Sequence, residues 1–482
     1  MAVPKVESAV ESGRQPVRAA PRARVWLVAL LLTGAAAALR FHRLGDWSFW
    51  VDEIFTLRDS LDPSDLYHGL TYPLSYVLIG ASMNSMGVSE WSARLVPALF
   101  GVGTPAMAYL LGRRTFGELP SVIGAAIIAV SPWHLYWSQM ARFYTMTVFF
   151  STGSLFALHQ ALEENRRWYA AAGGLLMLLA VLSHYSALLV LAAIGTYVGL
   201  LVVLRWPRPR GLGAANVLLF VAPLAAGAMA VGPRAVSLLS KYAAGLQTGT
   251  SFANPVVGGA YMLVSVGYRL APAVLLLAVA GAWLGISRRD RGALLLACAV
   301  AVPAALLVVA GALSHAENRY AFVVLPPAAL LAGAAMSSIC RPLWWRSRVL
   351  ALVVPLAVAL PLIEHDLAYF GSASNGERWN YRAAASFLRA HARPGDTVYS
   401  PMHLPLAYYL RNTKLAVQDL DVGSEPPVRA ARRSWVVVED ATRGESVTRE
   451  LAGWVEGNCR LAAHFPASSP VANYGLSVYE RQ

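Results

Sequence analysis

Apolar runs separated by short polar clusters recur from residue 25 to residue 363, after which the pattern changes. A helix needs about 20 apolar residues to cross a bilayer, and Lys and Arg collect at the cytoplasmic ends of such helices. Together the two rules predict eleven spans, at about 25–40, 93–111, 118–131, 145–162, 168–183, 186–204, 213–231, the second part of 257–286, 292–312, 321–339 and 349–363. The stretch 257–286 is too long for one straight helix and is broken at Tyr268-Arg-Leu-Ala-Pro272. The basic clusters at Arg113-Arg114, Arg166-Arg167, Arg205 to Arg210, Arg288 to Arg291 and Arg341 to Arg348 all fall inside on one condition. Segment 71–88, apolar but awkwardly placed, must lie along the outer surface. Residues 1–24 then form a cytoplasmic tail, and the first helix is read as uncleaved rather than as a signal peptide.

Residues 364–482 read as a separate α/β domain on the outer side. An amphipathic helix is expected over Trp379–Arg389 and a second over 403–410. Arg393-Pro-Gly-Asp396 reads as a turn. Short strands are expected at 397–399, 415–417, 435–438, 461–465 and 476–479. The fold class is thus a polytopic α-helical membrane protein: a transmembrane domain over 25–363, with 41–92 as its first outer loop, and a small extracytoplasmic domain.

Composition agrees. The chain is 56% hydrophobic and 14% charged, with a mean hydropathy of +0.48, against about 25% charged residues in soluble domains. Its net charge of +13 sits in the clusters that orient helices, not on a continuous basic face, so nucleic acid is not an expected partner. Cys298, Cys340 and Cys459 have neither metal nor disulfide spacing. No internal repeat supports a transporter built from inverted halves.

Polar residues without a topological role gather on the outer side. Residues 41–70 hold six of the chain's 27 acids, Asp52-Glu53 among them, beside Trp47, Phe49 and Trp50. His68, Tyr72, Arg142, Tyr144, His184-Tyr185, Lys241, Arg269 and Arg319-Tyr320 fall on the same side. Each alone could be an interfacial anchor. As a set of carboxylates, cations and aromatic rings they suit a phosphate-bearing lipid substrate. A carboxylate can take a proton from an acceptor hydroxyl, and Arg and Lys can hold a departing phosphate. Substrates with the lipid chain in the bilayer need a site at its surface.

Four features together give the chain a resemblance to the GT-C membrane glycosyltransferases, in particular the bacterial protein O-mannosyltransferase and lipid A aminoarabinose transferase branch. They are Asp52-Glu53; Tyr72-Pro-Leu-Ser-Tyr76 followed by Gly87-Val-Ser-Glu-Trp-Ser-Ala-Arg94 and Leu111-Gly-Arg-Arg114; Ser131-Pro132 with Arg142-Phe-Tyr144; and Asn318-Arg-Tyr320 with Pro326-Pro327. The resemblance implies inverting transfer of a sugar from a polyprenyl-phosphate donor to a glycan, lipid or protein acceptor, in a bacterial inner membrane. It implies Asp52 as catalytic carboxylate with Glu53 as its partner or a substrate ligand, and Arg319 and Tyr320 near the donor phosphate. Arg269 and Lys241 join the phosphate group on topology, and His68, Tyr72, Arg142, Tyr144, His184 and Tyr185 are expected to bind substrate. Where the aminoarabinose branch has an acid in the second outer loop, this chain has Gln139, Arg142 and Tyr144. No metal-ligand set is assigned, and a divalent cation is left open as cofactor. The alternative expectation is a transporter or flippase of lipid-linked sugars.

Overall fold

The computed structural model describes residues 22–62, 73–246, 254–313, 316–371, 373–420, 433–440, 449–469 and 473–481. Its helices begin with α1 (Arg22–Phe41), α2 (Val51–Leu61), α3 (Pro73–Met86), α4 (Glu90–Thr115), α5 (Glu118–Ala129) and α6 (Pro132–Ser138). There follow α7 (Tyr144–Glu164), α8 (Arg167–Ser183), α9 (Ala187–Val203), α10 (Ala214–Leu246), α11 (Pro255–Leu270) and α12 (Pro272–Ser287). Then α13 (Arg291–Leu313), a 3-10 turn (Asn318–Val324), α14 (Leu325–Arg346) and α15 (Arg348–Phe370) complete the bundle.

Five of the described helices are long and apolar enough to cross a membrane: α1, α4, α13, α14 with its 3-10 turn, and α15. Two bent pairs raise the number to seven. In one, α5 and α6 meet at 57°, where Ser131-Pro132 interrupts the backbone ladder. In the other, α11 and α12 meet at 95°, at Ala271, whose φ of +67° precedes Pro272. The regions Arg167–Ser183, Ala187–Val203 and Ala214–Ala230 are shorter apolar helices. The remaining expected span, α7, carries Thr145, Thr147, Ser151, Thr152, Ser154, His159 and Gln160, all buried. It sits inside the bundle, and four of its hydroxyls donate to backbone carbonyls: Thr145 to Pro97 O at 2.8 Å, Ser154 to Gly173 O at 2.8 Å, and Thr147 and Thr152 one helical turn back. α10 and α15 run past their expected ends, α15 to Phe370.

The expected basic ends come together. Arg114 and Arg166 both pair with Glu164, at 3.0 and 3.1 Å, and Arg291 reaches Glu163 and Pro207 O. The opposite end carries the tail domain. Its helices are α16 (Tyr381–His391), α17 (His403–Leu410) and α18 (Arg449–Asn458). Its strands, β1 (Thr397–Ser400), β2 (Ala416–Asp419), β3 (Ser434–Glu439), β4 (Arg460–Phe465) and β5 (Leu476–Arg481), form one sheet in the order β2-β1-β3-β5-β4. β1 pairs in parallel with β2 and β3, and β5 antiparallel with β3 and β4. Tyr381, Ala384, Ala385 and Leu388 line one face of α16 and are buried against Val398, Trp435 and Val478.

α2 is the element that matters most. Asp52 and Glu53 occupy its first turn, where the helix dipole favours carboxylates. Glu53 reaches back to accept the Trp50 N–H at 3.4 Å, as the third residue of a helix can. Its carboxylate also receives Arg94 Nε and Nη2, each at 2.8 Å, and the Ala141 N–H at 2.7 Å. Arg94 and Glu53 are both 0% exposed. Arg94 spends its remaining donors on the carbonyls of Trp47, Ser48 and Leu44, at 2.9, 3.1 and 3.3 Å. This one guanidinium from α4 therefore fixes both α2 and the strap before it. Burial pushes the Glu53 carboxyl up, but the Arg94 charge and its hydrogen bonds, aided by Arg378 and the Ala141 N–H, hold it below the ordinary 4.5.

Glu53→Gln leaves the buried Arg94 charge uncompensated and is expected to lower stability by about 3–5 kcal/mol. A carboxyl held below its unfolded value stabilises above that value, and the contribution is lost as pH falls through the folded value. Wild type should therefore lose thermal stability below a pH of about 4.5 more steeply than Glu53→Gln, measured by melting of the purified protein across pH. Parallel pH profiles would contradict this role.

Candidate active site

Asp52 follows from the strap. Residues 45–50 run under the tail domain with Trp47 and Phe49 buried, at 2% and 0% exposure, so these rings are not interfacial anchors. Trp47 donates its indole N–H to Gln139 Oε1 at 3.2 Å. It also lies against Gly376, whose φ is +63° and where a Cβ would come 2.6 Å from the ring. Only glycine meets both demands. With the strap so held, α2 starts at Val51, and Asp52 and Glu53 point different ways. Glu53 is committed to Arg94.

Asp52 faces two cations. Its Oδ2 accepts Arg319 Nη1 at 2.7 Å and lies 3.7 Å from Arg142 Nη2. The Asp52 side chain is 20% exposed, Arg319 18% and Arg142 11%, so the group is recessed and still open to solvent. Arg142 also donates to Asp52 O and Thr56 Oγ1, each at 2.9 Å, which ties it to the first turn of α2. Arg319 is joined to Glu317 by a short contact.

An aromatic wall stands beside the arginines. His184 stacks on Phe143 with ring centroids 4.4 Å apart and 12° between planes, and on Tyr185 at 4.2 Å. Tyr320 lies 5.4 Å from both His184 and Tyr185. Tyr144 lies 5.4 Å from His184. The Arg142 guanidinium sits 4.4 Å from the Phe143 centroid. Burial, with the Arg142 and Arg319 charges nearby, holds the His184 imidazole well below the usual histidine range, so the ring is neutral. The site thus offers two accessible carboxylates, Asp52 and, on the far side of Arg319, Glu317, with two guanidinium groups and the half-buried rings of Tyr185 and Tyr320.

The structure brings together Asp52, Arg142, Tyr144, His184, Tyr185, Arg319 and Tyr320. Glu53 is adjacent in sequence and buried elsewhere. Arg269, in the last turn of α11, lies near enough to Tyr136 and His365 for its charge to act on both. No ion pair joins it to Asp52 among the described residues. Lys241 falls in the last part of α10, over 233–246, where only the backbone is described, and His68 and Tyr72 lie outside the described residues. Among the described residues no three His, Cys, Asp or Glu side chains are grouped to hold a metal ion. Sequence reading missed Thr56 and Phe143 as members of the site; Glu317 stands with Arg319 and Tyr320 among the outer polar residues without a topological role. Arg94 carried a signal: an arginine inside an apolar run must find a buried partner.

Residues 70–226 match the model of the dolichyl-phosphate-mannose-protein mannosyltransferase family. That stretch includes Arg142, Tyr144, His184 and Tyr185, and excludes Asp52 and Arg319. A search of curated proteins finds no sequence match. Among solved structures, ArnT from Cupriavidus metallidurans in the apo state is similar, with TM-score 0.58 and 14% identity over 95% of this chain and 98% of that one. The same protein bound to undecaprenyl phosphate gives TM-score 0.56, again at 14% identity over 95% and 98%. The archaeal oligosaccharyltransferase AglB from Archaeoglobus fulgidus, in complex with an inhibitory peptide and a dolichol-phosphate, gives 0.53 at 14% identity, over 82% of this chain and 64% of that one. At 14% identity these likenesses show a shared fold: this multi-pass membrane chain folds as ArnT does.

Proposed function

We propose that the protein transfers a sugar from a polyprenyl-phosphate-linked donor to a hydroxyl-bearing acceptor, a glycan, a lipid or a protein, at the extracytoplasmic face of a bacterial inner membrane. The observation that carries the reading is Asp52 held between Arg319 and Arg142, recessed but open, beside an aromatic wall. The basic clusters collect at the end of the bundle away from the tail domain, which supports this orientation. Undecaprenyl phosphate and dolichol-phosphate in the structural neighbours support the class of donor.

In this reading the donor phosphate enters between Arg319 and Arg142, with Tyr320 beside it, and takes over the guanidinium groups that otherwise hold Asp52. Charge-assisted hydrogen bonds to phosphate are strong, and Arg offers them in a fixed fork. Asp52 is thereby released toward the acceptor hydroxyl. The acceptor oxygen forms a bond to the anomeric carbon as the bond from that carbon to the phosphate oxygen breaks. The electron pair leaves with the polyprenyl phosphate, where the arginines stabilise the charge. The acceptor proton passes to Asp52 and then to water. Tyr185 and Tyr320, half-buried, present ring faces to the sugar, and His184, sealed between Phe143 and Tyr185, backs that wall. Glu53 takes no part in the chemistry and serves the position of α2.

Asp52→Asn is expected to lower transfer by about 100- to 10,000-fold, with the protein still folded, inserted and able to bind polyprenyl phosphate. Arg319→Ala should raise the donor KM more than the acceptor KM. Both are read by assaying purified full-length protein with a radiolabelled lipid-phosphate sugar. Normal transfer by Asp52→Asn, or equal effects of Arg319→Ala on both substrates, would contradict these roles.

A further inference from the structure

The strap, with Leu44 just before it, is gripped from two sides. From the bundle, Arg94 takes the carbonyls of Leu44, Trp47 and Ser48. From the tail domain, Arg382 of α16 takes the carbonyls left between them, Gly45 O and Asp46 O, each at 3.1 Å. Arg382 also donates its backbone N–H to Ser48 Oγ at 3.0 Å. The last amide before the cap of α2, Phe49 N–H, donates to the Tyr409 hydroxyl of α17 at 2.7 Å. That hydroxyl donates in turn to Glu90 Oε1 at 2.6 Å, and Arg382 closes the ring on the same oxygen at 2.5 Å. Tyr408 meets the Phe49 ring edge-on, centroids 5.3 Å apart. Glu90 opens α4, the helix that also carries Arg94. Only Trp50 and Val51 separate Phe49 from Asp52 along the chain.

Among the described residues no hydrogen bond or ion pair joins Tyr409, Arg382 or Glu90 to Asp52, Arg142 or Arg319. Their bonds converge on the backbone that delivers Asp52. A hydrogen bond lost at Phe49 N–H leaves a partly buried donor without its acceptor, and the first turn of α2 has no side-chain cap from Trp50 to compensate. We infer that Tyr409, braced by Glu90 and Arg382, is a positioning residue: it sets the start of α2 and so the place of Asp52, making the tail domain a part of the catalytic apparatus that touches no substrate. This rests on the reading of Asp52 given above.

The test uses full-length protein in lipid nanodiscs, with Tyr409→Phe as the main variant and Glu90→Gln, which keeps an acceptor for the tyrosine, beside Glu90→Leu. Small displacements of a catalytic group can cost up to about 100-fold in rate. Tyr409→Phe should lower kcat by about 10- to 100-fold, leave the donor KM unchanged and lower the melting temperature by a few degrees at most. Glu90→Gln should retain more of kcat than Glu90→Leu. Hydrogen exchange followed by mass spectrometry gives a readout independent of activity. In Tyr409→Phe, peptides within 43–57 should exchange faster while those of β1 and β3 keep their protection. Unchanged exchange over 43–57 would overturn the inference, and so would loss of protection throughout the tail domain. If wild type shows no transfer, the glycosyltransferase reading fails, and the exchange result alone still decides whether Tyr409 sets α2.

Discussion

A buried arginine is the constraint on which the site depends. Arg94 leaves water altogether inside α4, and the membrane around that helix gives it no other partner. Glu53 neutralises the charge in a two-pronged contact, and backbone carbonyls of the strap consume the other donors. Burying such a pair adds little net stability compared with an apolar core, but breaking it is costly. What it supplies here is geometry, because a guanidinium with five fixed donors admits one arrangement of the partners around it. α2 must begin where it does, with Glu53 turned inward.

Two adjacent carboxylates then acquire opposite fates from their surroundings. Glu53 is sealed among hydrogen-bond donors and holds structure together. Asp52, one residue earlier on the same helical turn, faces a recess where its partners, Arg319 and Arg142, are suited to phosphate. The short segment 139–142 links the two environments. Gln139 anchors Trp47 and accepts the Tyr369 hydroxyl at 3.0 Å; Ala141 donates to Glu53; Arg142 reaches Asp52 and Thr56. Gln139 O accepts Arg378 from the tail domain at 2.8 Å. The strap and this segment therefore share supports in both the bundle and the tail, and a change in one is transmitted to Asp52.

Much of the architecture was legible in the sequence, where single-residue physics suffices. Apolar run lengths gave the spans, and the break at Tyr268 to Pro272 was visible because proline cannot continue a ladder. The five strands and two helices of the tail appear at the expected places because their alternation and amphipathic spacing are local. α2 and α6 lie where the sequence predicts loops, being short and rich in polar or aromatic residues, with buried neighbours completing them as helices. Of the candidate residues, the acids and arginines of the site stood out as charges without a topological role. Their pairing did not, since Arg319 meets Asp52 across 267 residues and Tyr409 meets Phe49 across 360. Nothing local distinguishes Asp52 from Glu53; only Arg94, arriving from another helix, does so.

The most direct test of a single reacting carboxylate is the stereochemistry of the product. One displacement at the anomeric carbon inverts configuration, whereas a covalent intermediate on a second carboxylate retains it. Full-length protein in nanodiscs, supplied with a polyprenyl-phosphate sugar of known anomer, should give a product of the opposite configuration by nuclear magnetic resonance. A product with the donor's own configuration would contradict the account.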